Sequence, residues 1–138
     1  MIELTNSVIQ TVEPSATATF DTTVYRSGCD VCHRCGSGLV QLEGRGTRCN
    51  PAKYHVAVSG NIGGGAGTQA NVAIAVNGET LTETIRTATI TAATDVFPFA
   101  AQTNVRECGS CCDTISVKNV GTTPITLSNL SFAVRRIA

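Results

Sequence analysis

The residues best equipped for chemistry in this chain are its seven cysteines. They fall in two clusters: Cys29, Cys32, Cys35 and Cys49, then Cys108, Cys111 and Cys112. Four kinds of chemistry compete for them. Cys29-x-x-Cys32 followed by His33 or Cys35, with Cys108-x-x-Cys111 repeating the spacing, could close a tetrahedral zinc site if two distant loops met. Disulfides are the second reading, because cysteine-rich loops exposed to an oxidising medium become staples. Cys35 and Cys49 flank one short apolar segment and could pair, and Cys29 or Cys32 could bridge to the 108–112 loop. An odd count cannot pair completely within one chain. Third, Cys29-Asp-Val-Cys32-His33 spells a haem-attachment motif. Haem attachment normally follows export, and the first twenty residues have no secretory pattern. The only methionine is Met1, which leaves no plausible second axial thioether. The fourth reading is reduced thiols packed as small hydrophobes. Staples suit the pattern best.

No catalytic constellation accompanies the thiols. Cys-x-x-Cys in a redox enzyme opens a helix, and no helix is expected here. His33 lies in the cysteine loop without a serine and an acid to complete a triad. His55 alternates with Tyr54 and Val56 and reads as a surface or interface residue. Gly63, Gly64 and Gly65 lack the Lys-Ser/Thr ending of a phosphate loop. Glu79, Glu83, Asp95 and Asp113 form no defensible carboxylate pair. Arg135 and Arg136 would fall on opposite faces of a strand. The expectation is a protein that is not an enzyme and needs no cofactor, with zinc as the one alternative.

The elements that hold these residues read as strands. Tyr54, Val56 and Val58 alternate strictly, as do Val72, Ile74 and Val76, then Ile115 and Val117, then Leu130, Phe132 and Val134. Asn77-Gly78 between two such runs marks a tight hairpin, since both residues tolerate positive φ. Segments 16–25, 38–44 and 95–105 are also extended, and Pro98 favours an edge or a bulge. A helix over 80–91 is the alternative there. Six threonines in twelve residues argue against it. About nine or ten strands with frequent turns give an all-β, antiparallel sandwich of the jelly-roll kind. We divide the chain into an N-terminal arm or first strand (1–14) and one jelly-roll domain (15–138).

Composition adds a constraint on partners. Charged residues make up 14% of the 138 residues, against roughly 25% in ordinary soluble domains. Ten basic residues face ten acidic ones, so the formal net charge is zero. Nucleic-acid binding needs a basic excess, and none exists. No apolar run is long enough for a membrane span. A surface so poor in charge is weakly protected against association: either partner chains cover much of it, the favoured reading, or it is rich in Thr and Ser hydroxyls.

Several blocks carry a resemblance. IELTNSVIQTVEP, CDVCHRCGSGLVQLEG, CNPAKYHVAVSGNI, CCDTISVKNVG and LSNLSFAVRRIA, in this order, resemble small proteins of Firmicutes phages and prophages encoded among virion structural genes. The later half is also similar to the trimeric tumour-necrosis-factor-like jelly roll at the tips of spore-surface collagen-like proteins. This resemblance implies a ten-stranded jelly roll around a three-fold axis. The Gly-X-Y stalk of the collagen-like proteins is missing, and a short arm stands in its place. Cys35 and Cys108 look like additions to the family pattern, which would make them an extra bridge.

The resulting expectation is a trimeric capsid-decoration or head-fibre protein, made in the bacterial host cytoplasm and carried on the virion surface. Its partners would be copies of itself and the major capsid protein. Ile2, Leu4, Val8 and Ile9 are the expected capsid-docking residues. Tyr54, Val56, Phe132 and Val134 are the expected core and trimer axis. The other function considered is a host-surface or glycan-binding head using the Thr/Ser-rich loops and the glycine loop at 61–67.

Overall fold

The computed structural model describes residues 1–6, 8–28, 31–33, 36–42, 52–107 and 113–137. Among them lie β1 (Ile2–Asn6), β2 (Gln10–Val12), β3 (Thr22–Arg26), β4 (Val31–His33), β5 (Val40–Leu42) and β6 (Ala52–Gly64). They are followed by β7 (Gln69–Val76), β8 (Glu79–Thr80), β9 (Arg86–Thr89), β10 (Val96–Glu107), β11 (Thr114–Asn119) and β12 (Ile125–Arg136). Two antiparallel sheets result. One runs β10-β6-β12-β1-β3, with β2 also joined to β12. The other runs β4-β5-β11-β7-β8, with β9 also joined to β7. This is the all-β jelly roll that the alternation requires, with its core between the two sheets.

The registers explain why these residues form these strands. Val56 and Val58 stand opposite Val134 and Phe132, and Ile2 and Leu4 stand opposite Val134 and Phe132 on the other side of β12. Every one of these side chains is buried. In the second sheet, Ile74 and Val76 stand opposite Val117 and Ile115. A one-residue slip would turn all of them to solvent, so burial fixes the register. The Asn77-Gly78 hairpin forms as expected. Both residues have positive φ, 52° and 81°, the pairing that a type I′ turn needs. Pro98 lies in β10, an edge strand.

The helix alternative over 80–91 does not form. Thr82–Thr84 make a single 3-10 turn, and Arg86–Thr89 are a strand. The buried Thr84 hydroxyl is the local cause: it accepts the Ile74 backbone N–H at 2.9 Å and donates to the Leu81 carbonyl at 2.7 Å. That ties the turn to β7 instead of letting it wind on. Segment 16–25 is likewise only partly a strand. Phe20 precedes β3 yet is fully buried, stacked on Phe132 with ring centroids 5.3 Å apart. A Cβ on Gly38 would strike the Ala18 carbonyl, so only glycine lets the chain before β5 pass so close to the Phe20 segment.

Buried Asn119 is the main polar tie of the N-terminal region. Its Nδ2 donates to the Val12 and Thr123 carbonyls, both at 2.9 Å, and its Oδ1 accepts the Gly121 N–H at 2.9 Å. Asn119→Leu would orphan these groups inside the protein. It is expected to cost about 2–4 kcal/mol, read by urea unfolding, with faster hydrogen exchange in Gln10–Val12.

Asp95 organises the turn before β10. Its carboxylate accepts the Thr91 hydroxyl at 2.7 Å and the Ala92 N–H at 3.0 Å. These bonds, the Thr91 hydroxyl first, hold its pKa below the ordinary carboxylate value. A depressed pKa stabilises the fold above the unfolded-state value, and the contribution is lost as pH falls through the folded-state value. Asp95→Asn is therefore expected to lower stability slightly at neutral pH and leave it unchanged in strong acid. A melting series across that acidic range checks this.

Candidate functional site

The candidate site is the outward face of the β10-β6-β12-β1-β3 sheet. Core-facing Val56, Val58, Phe132 and Val134 alternate with outward Ala57, Ser59, Ser131 and Ala133. Ala57 stands opposite Ala133 on one side and Gln102 on the other, and Ser59 stands opposite Ser131 and Ala100. Together they line a shallow groove of about 400 Å³ that runs across three strands, with Arg86 at its rim. A solvated sheet face normally carries longer polar side chains. Alanine and serine have little rotamer freedom to lose, and the middle of a protein–protein contact is depleted of charged residues.

Arg86 guards the neighbouring edge. It reaches from β9 to β10, where its Nε donates to the Ala100 carbonyl at 2.8 Å. One Nη also donates to the Ile85 carbonyl at 3.0 Å. A side chain on an open edge blocks the addition of another strand there. Just beyond it, Val96 and Phe97 are exposed, 57% and 38%, beside a second groove of about 280 Å³ bounded by Ile62, Ala88 and Phe99.

The residues expected to form sites are distributed as follows. Tyr54, Val56, Phe132 and Val134 are each 0% exposed, between the two sheets. They are core, and no second chain can reach them in this fold. Their burial within a single chain leaves no exposed surface for the trimer-axis role expected of them, and strand alternation turns their neighbours of opposite parity outward. The arm divides in the same way. Ile2 and Leu4 are buried strand residues, so they cannot dock outward, whereas Val8 and Ile9 are 63% and 69% exposed in the bend between β1 and β2. His55 lies on the outward face, with its Nδ1 3.1 Å from Asn104 Oδ1.

Of the cysteines, Cys29, Cys35, Cys49, Cys108, Cys111 and Cys112 lie outside the described residues. Cys32 carries a free, half-buried thiol. His33 donates from Nε2 to the Ser37 carbonyl at 2.8 Å and meets the Phe20 ring edge-on at 6.3 Å. Its Nδ1 is buried with no partner among the described residues. Among the described residues no three His, Cys, Asp or Glu side chains gather in a metal-binding group. No described helix is long and apolar enough to cross a membrane.

The outward small-residue face was missed from sequence, although its signal is present. In AKYHVAVSG the residues between the large apolar ones are Ala57 and Ser59, and in LSFAVRR they are Ser131 and Ala133.

A scan of protein-family models and a search of curated proteins found no match to this sequence. Solved structures do match its fold. The globular domain of zebrafish complement 1qA protein superposes with a TM-score of 0.64 at 7% identity, over 99% of this chain and 96% of that one. Murine APRIL gives 0.59 at 13% identity, over 97% and 96%. The vertex protein P5 of phage PRD1 gives 0.53 at 12% identity, over 99% and 96%. The fold is thus the jelly roll of C1q and tumour-necrosis-factor-like domains. Such a fold, with this face, is compatible with a non-enzymatic structural or binding module.

Proposed function

We propose that this chain is a non-enzymatic structural protein of a phage virion, a homotrimer that decorates the outer surface of the capsid. The observation that carries the proposal is the outward face centred on Ala57, Ser59, Ser131 and Ala133, a shallow groove lined by small side chains across the middle of a sheet. In a closed ring, each contact joins two different patches of neighbouring copies. The small-residue face is one patch, and the exposed Val96–Phe97 edge of the next copy supplies the apolar side chains for the other. Low overall charge fits a chain whose surface is partly covered.

The likeness of the fold to the PRD1 vertex protein supports the virion setting. Val8 and Ile9 are the exposed apolar pair of the N-terminal region and serve as the contact with the major capsid protein.

The test is cosedimentation with empty capsids that lack this chain. The wild type is expected to pellet with the shells in multiples of three copies per site. Val8→Asp/Ile9→Asp is expected to stay in the supernatant while remaining trimeric. A wild-type protein that neither trimerises nor pellets would overturn the proposal.

A further inference from the structure

Charge is distributed unevenly over the same outward face. At the end of the sheet that holds Met1 and Arg136, Lys53 stands directly opposite Arg106, and Arg135 directly opposite His55. Alternation puts Lys53, Arg106 and Arg135 on the outward side, and all three are exposed. None of the three side chains has a hydrogen-bond or ion-pair partner among the described residues. The Met1 ammonium lies at the same end, where it donates to the Ser27 carbonyl at 2.8 Å.

Such an arrangement has a cost in the isolated chain. Like charges directly opposite on neighbouring strands destabilise the pairing. A basic excess does not explain it, because the chain's ten basic and ten acidic residues balance. Positive charge has been gathered at one end of one face. A partner that brings carboxylates to that end would relieve the repulsion and gain complementary pairs.

We infer that this basic end is a docking surface for a carboxylate-rich protein surface. Two observations favour protein carboxylates over nucleic acid. Lys53, Arg106 and Arg135 occupy three adjacent strands, a width of only about 10 Å at the usual strand spacing. A duplex presents a continuous line of phosphates, one charge per roughly 1.7 Å of axis. Also, the patch is bordered by an acid: Glu3 stands opposite Ala133, two residues from Arg135. A phosphate backbone crossing the face would meet that carboxylate, whereas a protein surface can place a cation or hydroxyl against it. In the virion reading the shell would supply the carboxylates. The inference stands without that reading, since the patch is defined on a single chain.

The test uses poly-L-glutamate as the probe, read by fluorescence anisotropy at low ionic strength with the full chain. The wild type is expected to bind and to release the probe as salt approaches about 1 M, where screening extends to only ~3 Å. Lys53→Glu/Arg135→Glu and Lys53→Ala/Arg135→Ala are each expected to weaken binding at least about tenfold. Lys118→Glu, on the other sheet where Nζ contacts the Gly78 carbonyl at 3.1 Å, is expected to leave binding unchanged. Circular dichroism confirms folding of each variant. Absent binding by the wild type, binding as tight as the wild type's by either double variant, an equal loss in Lys118→Glu, or tighter binding of duplex DNA than of poly-L-glutamate would each overturn the inference. Trimer formation is not needed for any of these outcomes, so failure of the assembly reading would be seen separately.

Discussion

Phe132→Ala is expected to destabilise the folded chain by about 3–5 kcal/mol, the usual cost of deleting a buried ring and leaving a cavity. For a domain of this size the melting temperature should fall by roughly 10–20 °C at fixed protein concentration. The reason is its place in the core. Phe132 is fully buried, its ring is stacked on Phe20 with 17° between the planes, and it stands opposite Leu4 and Val58. Little room exists for these neighbours to collapse, because they belong to three hydrogen-bonded strands. The measurement also separates two roles for the residue. A trimer-axis residue would give a dissociated chain with an intact core. A core residue gives a destabilised chain whatever its oligomeric state, and that is the expected result.

Ala57→Arg is expected to do the reverse. It should leave the β signature of the chain in place and weaken self-association by at least about a hundredfold, near 3 kcal/mol per contact. Ala57 sits at the middle of the groove, opposite Ala133 and Gln102. A guanidinium there has ample room in the isolated chain, but in an assembled face it would be stripped of water without a partner. Ala133→Arg should act alike. The double variant should lose less than the sum of the two, because both residues serve one contact. Sedimentation velocity at micromolar concentration reads this directly. A variant that stays as oligomeric as the wild type would move the interface off this face.

Comparison of these two residues indicates how much was legible in the sequence. The pattern Tyr54, Val56, Val58 determines a strand and its buried side, and the structure pairs those residues as the pattern demands. The Asn77-Gly78 turn was equally legible, because positive φ at two successive residues is a strong chemical constraint. What alternation leaves open is the use of the other side. Large apolar residues drew attention as an interface, yet burial between two sheets already accounts for them. Ala57 and Ala133 looked unremarkable in sequence because small residues gain meaning only once a neighbouring strand places them side by side. The basic end was hidden for the same reason. Lys53, Arg106 and Arg135 are far apart in the chain, and only the β6, β10 and β12 registers bring them together.

Ile2 and Leu4 follow the same logic in the opposite direction. Near a chain start they read as an arm, but pairing with both β12 and β3 makes them core. Phe20 was read as part of a strand, and the structure uses it as a plug held outside the ladder. Its N–H donates to the Ser37 carbonyl at 3.3 Å. The cysteine-bearing segments show no alternation of apolar residues in the sequence, so spacing alone could not choose among metal, bridge and thiol.

The measurement that bears most directly on the central claim is the mass of the purified chain in solution, by sedimentation equilibrium across the micromolar range. One chain is 14.3 kDa. A homotrimer gives a single species of three times that mass, unchanged on dilution and reduced to one chain by Ala57→Arg. A wild-type protein that sediments as one chain throughout would contradict it.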